Sequence, residues 1–143
     1  MERARIDISE DLDGEAVVHA VFDLGPAEIA SAAHAVRSTV AERYRIASIS
    51  ADDVLTLREL TVLADELGEM TDGAGTVVLR PARLSALRTA VGQFVEGRDY
   101  AEWIRDEDRE PLAITRELLW PLEQLDAEAT RAALAPADHR SLS

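Results

Sequence analysis

The sequence predicts an α+β fold, predominantly helical, with four to five helices and a small sheet from an N-terminal β-hairpin and a short strand near residues 76–80. Three observations predict it. Residues 3–24 alternate apolar and polar side chains, the period of half-buried strands. Beyond residue 26 apolar residues recur at spacings of three and four, the period of helices facing a core. Most prolines and glycines fall between these runs, where they start and stop elements.

In the hairpin, Ala4, Ile6 and Ile8 share one side of a first strand over 3–9, with Arg3, Arg5 and Asp7 on the other. Asp13-Gly14 marks the turn, and residues 15–24 return with Ala16, Val18, Ala20, Phe22 and Leu24 on one face. The connection is longer than an ideal two-residue hairpin loop. Gly25-Pro26 ends the strand, and Pro26 opens a helix over 26–44 that carries Ile29, Ala33, Val36, Val40 and Tyr44. Residues 45–50 fit either an extension of that helix or a short strand. Ser50 to Asp53 reads as a capping box that starts a helix over 51–70, with Leu60, Leu63, Leu67 and Met70 as its stripe and Leu57 and Val54 behind.

Thr71 to Gly75 is a loop and 76–80 a β-rich run. Pro81 then starts a helix over 81–96 whose face is Leu84, Leu87, Val91, Phe94 and Val95, and which Gly97 ends or breaks. Residues 98–110 are dense in charge. Pro111 starts a further helix bearing Leu112, Leu118, Leu119, Leu122 and Leu125, which Pro121 should kink or end. Asp126 caps a last short helix to Leu134, and the tail over 135–143 frays. Together these make a single domain over 1–143: a hairpin (3–24), a mainly helical body (26–134) and the tail.

A chain of 143 residues, 47% hydrophobic and with a mean hydropathy of −0.10, has enough apolar material for a core. It contains no cysteine, which excludes a disulfide framework, a thiol nucleophile and thiolate metal sites, and fits a reducing compartment. The N-terminus lacks the apolar stretch of a secretory signal, and no apolar run approaches the ~20 residues of a membrane span, so the expected location is cytoplasmic. The net charge is −13, from 28 acidic and 15 basic residues, and every basic residue is Arg. The lack of Lys excludes Schiff-base and P-loop lysine chemistry. Arg-only, Ala-rich usage is the signature of a GC-rich bacterial genome. This charge works against binding phosphate backbones and favours encounter with a basic protein.

No motif specifies a reaction. His19, His34 and His139 stand in no metal-ligand spacing, and neither a metal nor a cofactor is expected. Asp11-Leu12-Asp13-Gly14 resembles part of a calcium loop, but Ala20 stands where the bidentate glutamate belongs. Gly73-Ala74-Gly75 precedes its strand, the reverse of a dinucleotide fingerprint. No serine lies in a nucleophile elbow.

Two stretches qualify as interaction candidates. Arg80, Arg83 and Arg88 form a basic island at the start of the 81–96 helix, where amide donors already favour anions. Salt bridges to nearby acids are the preferred alternative reading. Tyr100 and Trp103 lie beside Asp106, Glu107 and Asp108, and Tyr and Trp are favoured interface anchors. The spacing of Tyr100, Trp103 and Ile104 equally allows a place in the core, which is the preferred reading, as it is for Trp120.

The sequence therefore favours a non-catalytic, acidic protein-binding regulator (adaptor, inhibitor or immunity-type) meeting a basic partner surface. The alternatives are a small enzyme or ligand-binding domain with a pocket between helices and sheet, and a DNA-associated regulator using the three arginines. The leucine-rich faces over 54–70 and 112–125 suggest more apolar surface than one core buries, and hence a homodimer.

Overall fold

A computed structural model describes residues 2–44, 51–70, 75–99, 101 and 103–134. The elements run β1 (Glu2–Glu10), β2 (Ala16–Leu24), α1 (Pro26–Tyr44), α2 (Ala51–Glu69), β3 (Gly75–Leu79), α3 (Pro81–Asp99) and α4 (Asp106–Leu134). The fold is α+β and predominantly helical, with a three-stranded antiparallel sheet in the order β1-β2-β3.

The hairpin forms as its alternation dictates. Ile6 pairs with Ala20 and Ile8 with Val18, so the apolar side of β1 continues that of β2. The connection is organised by Asp11, whose Oδ1 accepts the amides of Asp13 and Glu15, each at 2.9 Å. Gly14 completes it at φ +80°, a left-handed conformation that L side chains resist. β2 is the central strand. Its Val18, Ala20, Phe22 and Leu24 are buried together with Val77 and Leu79 of β3, whereas Ile8 on the β1 edge is 53% exposed.

α3 and α4 pack on the sheet, α1 packs on α3 and α4, and α2 covers α1. Enclosed in this way, α1 buries Ile29, Ala32, Ala33, Ala35 and Val36, and its alanines allow neighbours to approach closely. Its start is a variant capping box: the Gly25 amide donates to Glu28 Oε1 at 2.9 Å, with Pro26 at the first helical position. α3 likewise starts with a proline at its first position, Pro81, the Leu84 amide closing on the Arg80 carbonyl at 3.0 Å, but it has no acid in its first turn to complete a capping box.

Several expectations need correction. α3 does not stop at Gly97 but runs to Asp99. α4 starts at Asp106, not Pro111, and continues through both Pro111 and Pro121 to Leu134. Asp106, Glu107 and Asp108 fill its first turn, where the helix dipole favours acids, and Arg105 precedes them as the cap, its carbonyl accepting the Asp108 amide at 3.0 Å. Each proline deletes one helical hydrogen bond, but Leu112, Leu118, Leu122, Leu125 and Ala129 are buried along one continuous face, and that packing outweighs the loss. Asp126 is therefore no cap; it lies mid-helix and is buried. The leucine faces of α2 and α4 are largely covered within the chain: Leu57, Leu60, Leu63 and Leu67 are buried as well, while Met70 and Leu119 are partly buried and Val54 is exposed. The alternatives for 45–50, the capping box at 50–53, most of the 71–75 loop and the tail fall on side chains or segments outside the described residues. Among the described residues no helix is long and apolar enough to cross a membrane.

Candidate functional site

The basic island is largely neutralised within the chain. Arg83 Nη1 reaches both carboxylate oxygens of Glu66 at 3.2 Å. Arg88 Nε donates to Asp126 Oδ2 at 2.8 Å, and the Ser85 hydroxyl donates to the other oxygen of that buried carboxylate. Arg80 remains exposed at the cap of α3. The salt-bridge reading thus describes Arg83 and Arg88.

The aromatic–acidic stretch divides. Trp103 is 72% exposed, not core, and Trp120 is likewise exposed. Ile104 packs against the core from the connection between α3 and α4. Tyr100 lies outside the described residues. Asp106 is solvated and pairs with Arg109 at 3.4 Å, while Glu107 pairs with Arg105 at 3.5 Å. Asp108, expected on an acidic surface, is instead buried. As the third residue of its helix it points away from the two acids before it, because helical neighbours diverge by about 100°.

Asp108 anchors a polar cluster that three helices assemble. His34 Nε2 of α1 lies 2.7 Å from Asp108 Oδ1. Arg98 Nε of α3 lies 3.4 Å from Asp108 Oδ2, and Arg98 Nη2 reaches Glu42 Oε1 of α1 at 2.8 Å. Phe94 forms the floor: the Arg98 guanidinium stacks 4.3 Å from its ring centroid, and the His34 ring meets it edge-on at 5.6 Å. Burial would push the Asp108 carboxyl up, but the His34 hydrogen bond and the Arg98 charge outweigh it and hold Asp108 below its ordinary value of 3.8. An ionised carboxylate accepts only, so His34 Nε2 carries the proton of this bond and Nδ1 is the acceptor in the neutral ring.

Above the cluster lies an open groove of about 580 Å³. His34, Ser38 and Glu42 line it at successive turns of α1, with Arg98 from the end of α3, Trp103 from the connection and Glu107 from the first turn of α4. His34, Glu42 and Arg98 were not among the expected interaction residues. The four-residue spacing of His34, Ser38 and Glu42 was the available signal, since it puts a histidine, a hydroxyl and an acid on one helix face. Among the described residues no three His, Cys, Asp or Glu side chains converge closely enough to hold a metal ion. No protein-family model, curated protein or solved structure matches the chain.

Proposed function

We propose that the protein is a non-catalytic binding module, an adaptor, inhibitor or immunity-type regulator, that receives a basic segment of a partner protein in the groove between α1 and the start of α4. The observation that carries this reading is Trp103, a large aromatic 72% exposed on the groove rim of a chain with net charge −13. A rim tryptophan offers an anchor with a π face for an arginine or lysine of the partner. Glu42 and Glu107 also line the groove, each half or more exposed and paired with an arginine of the chain, Arg98 and Arg105, which a basic segment would have to displace. The long-range field of the chain favours encounter with such a partner. The test is affinity capture from source lysate at low salt with wild type and Trp103→Ala side by side. The reading requires a basic protein that wild type retains, that raised salt releases, and that Trp103→Ala fails to hold. Equal retention by both, or no partner at all, overturns it.

A second reading, a small-ligand or catalytic pocket, is favoured by the carboxylate-held imidazole of His34 on the groove wall. It requires a small molecule whose binding His34→Gln abolishes and Trp103→Ala leaves in place. The nucleic-acid reading is weakened by the carboxylates on Arg83 and Arg88, and a gel shift at 50 mM salt would revive it.

A further inference from the structure

Helix α4 has a second face that the fold leaves uncovered. It runs from Ala113 through Glu117, Trp120, Gln124, Ala127 and Arg131 to Leu134, all exposed. The steps alternate four and three, the seam of a heptad repeat, over roughly 32 Å of helix. Trp120 is 68% exposed and Leu134 76%. Glu117 and Arg131 form no salt bridge or side-chain hydrogen bond among the described residues.

We infer that this row is a self-association seam, on which a second copy of the chain lies antiparallel about a twofold axis beside Gln124. The order of residues argues for that occupant. Glu117 and Arg131 are equally distant from Gln124 on either side, so each Glu117 meets the partner's Arg131. Trp120 and Ala127 are equidistant to within one residue, and so are Ala113 and Leu134. Each large apolar side chain therefore faces the partner's alanine, the large-to-small match that lets helices interdigitate. Gln124 meets its own copy, amide to amide. Parallel pairing in register would instead set Glu117 on Glu117 and Arg131 on Arg131, which like-charge repulsion disfavours. Pro121 contributes as well. It cannot donate to the Glu117 carbonyl, which is left without its helical donor where the partner's Arg131 arrives.

The seam shares no residue with the groove, so its test stands apart from the proposed function. Two chains of net charge −13 repel one another, and salt screens that repulsion together with the seam's ion pairs. Charge reversal is therefore the discriminating experiment, not a salt series. At about 100 µM chain in 0.15 M salt, wild type sediments as a dimer, at the weak end expected of a small interface. Glu117→Arg and Arg131→Glu each weaken the dimer about tenfold or more by opposing like charges. The double variant E117R/R131E returns to within about threefold of wild type, because both pairs re-form with reversed sign. Trp120→Ala also weakens it, while its thermal midpoint as a dilute monomer stays that of wild type. A monomeric wild type, a dimer indifferent to the single reversals, or a double variant that does not recover overturns the inference.

Discussion

His34 Nε2 and Asp108 Oδ1 stand 2.7 Å apart, so a single hydrogen bond ties the middle of α1 to the first turn of α4. The same carboxylate holds Arg98, whose side chain is only 15% exposed. Removing one member of such a cluster strands the others. Asp108→Ala is expected to cost about 3 kcal/mol of stability in urea unfolding, the scale for deleting one partner of a buried pair. Asp108→Asn keeps an acceptor for His34 and should cost less. A loss below about 1 kcal/mol for the alanine would mean that the cluster does not hold the helices together.

The same contact sets an acid dependence. Asp108 is held below its ordinary value in the folded chain, so the unfolded chain takes up its proton at higher pH than the folded one does. The stabilisation is then fully present above the ordinary value of 3.8 and is lost as the pH falls through the folded value. The gap in stability between wild type and Asp108→Asn should shrink as the pH falls below about 4. A gap that widens below that pH contradicts the assignment.

Three arginines of the basic island should respond unequally. Arg88→Gln leaves the buried Asp126 with Ser85 alone among the described residues and is expected to cost about 2 kcal/mol, the penalty for an unsatisfied buried charge. Arg83→Gln breaks a solvated pair with Glu66 and should cost less than about 1 kcal/mol. Arg80→Gln should fall within about 0.5 kcal/mol of wild type. Chemical denaturation of the three variants checks the order.

At Gly14 the backbone alone is at issue, because a Cβ there meets nothing within 4 Å while φ is +80°. Gly14→Ala is expected to cost about 1–2 kcal/mol through the left-handed conformation alone, and Gly14→Asn clearly less. Equal thermal midpoints for the two variants would refute that cause.

Both tryptophans of the chain, Trp103 and Trp120, are exposed. Tryptophan emission of the dilute protein should therefore move little on unfolding, while far-UV circular dichroism changes fully. A large shift in emission would place one of the rings in an apolar setting.

Most of the architecture was legible in the sequence. Period-two alternation marked β1 and β2, and Pro26 and Pro81 marked two helix starts, because these signals are local. The start of α4 was not legible. A rule about Pro111 competed with a stripe of leucines, and long-range packing decided between them. The groove was harder still. His34 and Asp108 are separated by 74 residues, and nothing local distinguishes Asp108 from Asp106 and Glu107. Only the turn of the helix sends one acid inward and leaves its neighbours in water.

The strand order β1-β2-β3 has a consequence for how the chain reaches this state. β1 and β2 are joined by a short turn and can zip within microseconds, as hairpins do. β3 must instead find β2 across the whole of α1 and α2, pairing Phe22 with Val77, and that closure costs loop entropy before any contact repays it. During synthesis, Phe22 and Leu24 emerge long before Val77 and Leu79, which share their face of the sheet. Nascent chains halted before Gly75 would therefore expose the apolar side of β2, and that interval is when the protein is most open to aggregation or to capture by a chaperone.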